Sequence, residues 1–171
     1  MLLLPYAKKS FFVWFAVYFI LCGGCTYPAI QLSPPEVDFP QTSYYILRDY
    51  NTTWNALKRA ILGLHTRKIR YINTKKGIIL LDEETVPIQT NCDCGKIGDT
   101  PLTGSVKRKT TITLKKKGPQ LTIVEIKCTY STKYTWRDIY NRKVRTQTIP
   151  CVSSGRFEST LYCSLIKHLN P

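Results

Sequence analysis

The sequence predicts an α+β fold: a two-layer sandwich in which an antiparallel sheet of about five strands carries two helices on one face. Two stretches repeat apolar residues at intervals of three and four, the mark of an amphipathic helix. Between them lie four runs rich in β-branched and aromatic residues, separated by glycine-containing turns. The longest runs put apolar residues on one face and lysines on the other, as a sheet covered on one side requires. The expected order is β-α-β-β-β-β-α.

Tyr44 to Arg48 reads as the first strand. Asn51 or Thr52 is then placed to cap a helix by accepting from a free backbone N–H. Trp54, Leu57, Ile61 and Leu64 form its stripe, Lys58 and Arg59 lie opposite, and Gly63 ends it after about 13 residues. Residues 68–73 and 78–86 read as a hairpin turning at Thr74-Lys75-Lys76-Gly77. A second hairpin, residues 106–117 and 120–134, turns at Gly118-Pro119. Val106, Ile112 and Leu114 share one of its faces, and Lys107, Lys109 and Lys115 share the other. Val124, Ile126, Cys128 and Tyr130 share a face on the partner strand. Residues 135–148 break the alternation and are expected as a loop or a strand extension. Ser153 or Ser154 is placed to cap the final helix, whose stripe is Phe157, Leu161, Leu165 and Leu169. Glu158 sits in its first turn, where the helix dipole favours an anion.

The domain is expected to span residues 44–171. Ahead of it, Lys8 and Lys9, an apolar run from Phe11 to Leu21 and then Gly23-Gly24-Cys25 have the pattern of an export signal over residues 1–24. As a helix, residues 11–24 would reach about 21 Å, short of a bilayer core of about 30 Å. Small residues ending in a cysteine resemble a bacterial lipobox, which makes Cys25 the expected lipid acceptor. Each buried acyl CH₂ contributes about 0.8 kcal/mol, so several chains on one sulfur would anchor the protein stably to a membrane. Thr26, in place of the Asp that marks inner-membrane retention in that pathway, points to the outer membrane, facing the periplasm. Residues 25–43, with Pro28, Pro34, Pro35 and Pro40, read as an extended tether.

The chain carries 25 Lys and Arg against 11 Asp and Glu, a formal charge of +14 that becomes +12 when Lys8 and Lys9 leave with the signal. Such a charge attracts polyanions. Export argues against nucleic acid and towards lipid A phosphates, anionic headgroups, acidic glycans or acidic partner proteins. Tyr130, Tyr134 and Trp136 share strand parity with Cys128 and are expected to extend the core. The interleaved cations Arg137, Arg142, Lys143 and Arg145 are the expected binding surface.

These segments resemble BamC (NlpB)-type bacterial outer-membrane lipoproteins. The resemblance rests on Gly23-Gly24-Cys25, on Trp54-Asn55-Ala56-Leu57 at a helix start, on Lys75-Lys76-Gly77-Ile78-Ile79 in a hairpin, and on Cys151-Val152-Ser153-Ser154-Gly155-Arg156-Phe157-Glu158 at the last helix. It covers residues 44–169 at the level of pattern. It implies a helix-grip fold and a non-enzymatic, accessory part in a complex that inserts outer-membrane β-barrels. This chain has one such domain where that family has two.

Of seven cysteines, Cys22 belongs to the signal and Cys25 to the lipid. Cys92, Cys94, Cys128, Cys151 and Cys163 remain in a compartment that permits disulfides. Cys92-Asp93-Cys94 admits three readings: a structural disulfide, a metal site or a redox site. The first expected pairing is Cys94–Cys151, which closes about 57 residues and contributes roughly 4 kcal/mol in the chain-entropy model. The second is Cys92–Cys163. Cys128, on the inward face of a strand, is expected as a buried free thiol. No nucleophile elbow, histidine signature or paired carboxylates occur, so the expected protein is not an enzyme and needs no cofactor. Asp82-Glu83-Glu84 is expected at a solvated strand end. Three functions follow in order: a lipid-anchored scaffold of an envelope complex, a direct binder of anionic lipid, lipopolysaccharide or glycan, and a redox or metal protein using the cysteine loop.

Overall fold

Two long strands carry the sheet. A computed structural model of the chain describes residues 32, 33, 35, 40, 42–64, 69–137 and 142–170. The expected signal and Cys25 lie outside the described residues. The element order is β1 (Leu32–Ser33), β2 (Ser43–Ile46), α1 (Tyr50–Gly63), β3 (Ile69–Asn73), β4 (Ile78–Leu81), β5 (Glu84–Pro87), α2 (Ile88–Asn91), β6 (Cys92–Asp93), β7 (Lys96–Ile97), β8 (Thr100–Pro101), β9 (Ser105–Gly118), β10 (Leu121–Arg137), β11 (Val144–Ser153) and α3 (Arg156–Leu169). The fold is α+β, with an open eight-stranded main sheet whose registered pairs are antiparallel.

Alternation decides what each long strand buries. On β9, Val106, Arg108, Thr110, Ile112 and Leu114 are buried, while Lys107, Lys109 and Lys115 are exposed. Its hairpin partner β10 brings Val124 opposite Leu114, Ile126 opposite Ile112, Cys128 opposite Thr110 and Tyr130 opposite Arg108. β10 outruns its neighbours, so two strands share its other edge: β2 along Thr122–Glu125 and β11 along Tyr130–Arg137. β9 is shared likewise, by β4 along Thr111–Thr113 and β5 along Ser105–Arg108.

The sequence reading undercounted strands. The run 78–86 is two strands, because Leu80 pairs Thr111 and Glu84 pairs Arg108, which leaves one extra residue on the β4–β5 side. That is a β-bulge, and it flips parity. Ile79 and Leu81 face inward before it, Val86 and Ile88 after it. Residues 144–153 are a strand, and Cys92-Asp93 within the expected loop pairs with its end. The expected tether also contributes: Leu32–Ser33 pair with Lys96–Ile97, and Thr42 accepts from the Ile126 N–H at 2.7 Å.

Both longer helices cover the inward face. Trp54, Leu57 and Ile61 of α1 and Phe157, Leu161 and Leu165 of α3 join Ile79, Ile112, Leu114, Val124 and Ile126 in one buried cluster. Tyr44 of β2 stacks on Tyr162 of α3, with ring centroids 4.2 Å apart. The caps differ from expectation. Asp49, still extended, accepts from the Thr52 N–H at 3.0 Å, because Asn51 and Thr52 are already helical. Gly155 is the N-cap of α3, at φ 76°, and neither Ser153 nor Ser154 caps it. Ser153 instead accepts from the Gly155 N–H at 3.1 Å and donates to buried Glu158 Oε1 at 2.8 Å.

Gly77 shows how tightly the β3–β4 turn is held. It sits at φ 65°, its carbonyl accepts from the Leu114 N–H at 2.7 Å, and a Cβ there would collide with the Leu114 carbonyl oxygen. Gly77→Ala is expected to lower stability by about 2–4 kcal/mol in urea unfolding, from backbone strain and that collision together. Lys76→Ala at the same turn is expected to stay within about 0.5 kcal/mol of the parent.

Candidate functional site

A polar seam crosses the inward face of the sheet. It consists of Arg108 and Thr110 on β9 with Tyr130 and Cys128 opposite them on β10. On one side lies the helix-covered cluster. On the other is a smaller cluster of Val86, Ile88, Cys92, Cys94, Val106 and Tyr130. The Arg108 side chain is only 2% exposed and touches three elements beyond its own. It donates to Glu84 Oε2 on β5 at 2.8 Å and to Asn91 Oδ1 on α2 at 3.4 Å, and its guanidinium carbon lies 4.1 Å from the Phe157 ring centroid on α3. Among the described residues, Arg108 Nε, the Tyr130 hydroxyl and Glu158 Oε2 are buried without a hydrogen-bond partner. Burial, reinforced by the Glu158 charge, pushes the Cys128 thiol up to about 12. Burial, with Cys128 beside it, pushes the Tyr130 phenol up to about 12.

The acidic run 82–84 is the counterpart of this basic strand rather than a bare strand end. Glu83 pairs with Lys107 at 2.6 Å and Lys109 at 3.3 Å on the outer face, and Glu84 takes Arg108. Hydrogen bonds from Lys107 and then Lys109 hold the Glu83 carboxyl below its ordinary value. Successive strand residues face opposite sides, so the two glutamates serve opposite faces.

The β6–β11 register sets Cys92 opposite Ser153 and Asp93 opposite Val152, so the next step brings Cys94 to Cys151. Their sulfurs are 2.05 Å apart, a disulfide. Cys92 and Cys163 do not pair: Cys92 is buried beside Cys94, whereas Cys163 is exposed on α3. Cys92 Sγ lies 3.9 Å from Cys94 Sγ. Burial, and next the Asp93 charge, push its thiol up to about 11. Cys92 is therefore protonated at neutral pH and is not an activated nucleophile. The buried Ser153–Glu158 pair closes the start of α3 and does not face solvent.

The expected cationic residues gather on a two-stranded ribbon. β9 pairs with β10 as far as Ser131; beyond it, β10 pairs with β11 up to Arg137 opposite Val144. Arg137, Arg142, Lys143 and Arg145 are all exposed. Arg145 lies opposite Trp136, which stacks on Tyr134 with centroids 5.7 Å apart. Only Tyr130 of the three aromatics joins a core cluster. Tyr134 and Trp136 stay half-buried because β9 has already ended. Residues 138–141 lie outside the described residues.

Sequence reasoning missed Arg108, Glu84 and Asn91 as a connected group. The signal was Arg108 on the same parity as Val106 and Ile112. No family model matches the chain, and no curated protein matches it. Among the described residues, no helix is long and apolar enough to cross a membrane.

Arg108→Ala is expected to destabilise by about 2–4 kcal/mol, because it empties a buried site and removes the bonds to Glu84 and Asn91 and the contact with the Phe157 ring. Chemical denaturation checks this. Iodoacetamide mapping of the native domain is expected to label Cys163 first, with Cys92 and Cys128 labelled only on unfolding. Cys128 also sets an alkaline limit. The fold holds its proton where the unfolded chain, near 9, does not, so its contribution is full below about pH 9 and fades as pH rises towards 12. Wild type is expected to lose more stability over that window than Cys128→Ala.

Proposed function

We propose that this domain is a non-enzymatic interaction module of the cell envelope, anchored to the outer membrane through acylated Cys25 and facing the periplasm. The observation that carries the interaction role is the β10–β11 ribbon. It combines four exposed cations with a stacked Tyr134–Trp136 pair, beyond the part of the sheet that the helices cover. Aromatic and arginine side chains are enriched at protein interfaces, while long-range positive charge speeds encounter with acidic partners. Two helices on one face of an antiparallel sheet are compatible with a helix-grip arrangement, and with it a BamC-like accessory role in outer-membrane protein assembly. The anchor reading rests on the pattern of residues 1–25.

A second reading takes the same ribbon as a direct ligand for anionic lipid, lipopolysaccharide or glycan, favoured by the charge alone. Crosslinking from position 144 or 146 in intact cells separates the two. Stoichiometric capture of one envelope protein supports the interaction module; capture of lipid or glycan alone supports the second reading. Replacing Arg137, Arg142, Lys143 and Arg145 together by Gln is expected to abolish that capture and leave the urea midpoint unchanged, since exposed charges away from the core contribute little to stability. Undiminished capture by this variant would remove the ribbon from consideration.

A further inference from the structure

The three cysteines around β6 form a cluster that a structural disulfide does not need. Cys92, Cys94 and Cys151 place their sulfurs within 4.8 Å of one another, two of them on buried residues and the third partly exposed. Cys94 and Cys151 suffice to staple the β6–β11 ladder. Cys92 adds a third sulfur already 3.9 Å from Cys94. Three thiolates about 2.3 Å from a common centre stand roughly 4 Å from one another, the separation that Cys92 and Cys94 already show.

We propose that reduction of the Cys94–Cys151 disulfide turns this cluster into a three-thiolate site for a soft, closed-shell cation of the cuprous class. Thiolate sulfur selects such soft metals. Zinc takes four ligands in its structural sites. Among the described residues the cluster contains the three cysteines and no histidine or carboxylate. Asp93 is engaged elsewhere, accepting from the Gly95 N–H at 2.7 Å. Cuprous copper, with a filled d shell and no demand for a fourth ligand, suits three sulfurs.

The chemistry balances as two steps. A dithiol reductant gives two electrons and two protons to the Cys94–Cys151 bond, becomes a disulfide itself and leaves two thiols. One cuprous ion then displaces three protons from Cys92, Cys94 and Cys151, giving a site of net charge −2. Arg108, hydrogen-bonded to Asn91 next to Cys92, lies near enough to offset part of that charge. Partly exposed Cys151 provides the way in. The site uses none of the ribbon's four exposed cations, so it does not rest on the function proposed for them.

The test titrates the full chain, in detergent, with cuprous ion supplied as its bicinchoninate complex, before and after reduction by dithiothreitol. Thiolate-to-copper absorption in the near ultraviolet and the copper-to-protein ratio are the readouts. Cys92→Ser and Cys163→Ser variants are run in parallel. Both keep the disulfide cysteines, and circular dichroism checks that both fold. The reduced wild type is expected to take one copper more than its oxidised form. Since even partners outside the ligand shell are worth about 10–100-fold in metal affinity, Cys92→Ser is expected to weaken that binding by at least about 100-fold. Cys163→Ser is expected to change it less than about twofold. Equal copper uptake by wild type and a folded Cys92→Ser variant would overturn the proposal. So would equal uptake by oxidised and reduced protein, or uptake lost with Cys163.

Discussion

A buried guanidinium holds the two halves of this domain's interior together. Arg108 occupies an inward position of β9 where strand parity calls for an apolar residue, between Val106 on one side and Ile112 on the other. Taking a charge out of water is costly, and only pairing makes it tolerable. The fold supplies that pairing from three directions: a carboxylate from β5, an amide from α2 and an aromatic face from the first turn of α3. The full set of contacts forms only when the bulge at residues 82–83, the single turn of α2 and the start of α3 are all in place. The seam thus converts a cost into a condition on tertiary structure. Arg108 Nε, the Tyr130 hydroxyl and Glu158 Oε2 are all buried in this region, so its polar groups depend on one another rather than on solvent.

The same long strands that bury the seam also set out the basic ribbon. β10 is longer than any partner it has, so its last third leaves the helix-covered layer and continues as a ribbon with β11. There the same alternation puts Tyr134, Trp136 and Arg145 on one face of the ribbon and Lys133 and Arg137 on the other. The disulfide ties the root of this ribbon, at Cys151, to the loop after β6. The arm is thus fixed at its base by a covalent bond and carries its exposed cations beyond it.

Much of this was legible in the residue order. The stripes of α1 and α3, the two hairpins and the opposite faces of β9 follow from spacing alone, because each was decided by local periodicity. The losses have physical reasons. The bulge hid inside Asp82-Glu83-Glu84, although the switch of apolar parity from Ile79 and Leu81 to Val86 and Ile88 records it. β11 escaped because Val144 to Thr148 are exposed, so no apolar alternation is required of them. Asp49 lost out to Asn51 as the expected cap by two positions, a boundary that local propensity does not fix. The seam needed three-dimensional information: Glu84, Asn91 and Phe157 are far apart in the chain, and only the topology brings them to Arg108. Of the site residues, the cations and the Cys94–Cys151 pair were named from the sequence, while Cys92's place beside that pair was not.

The central claim is that Arg108 makes the two apolar clusters a single cooperative unit. Native-state hydrogen exchange tests it most directly, through the slowest amides of β9 and β10 on either side of residue 108. The account predicts one shared opening free energy for both sides in the wild type, and in Arg108→Gln a separate, lower one for the side holding Val86, Val106 and Tyr130. Two distinct energies already in the wild type, unmoved by the substitution, would contradict it.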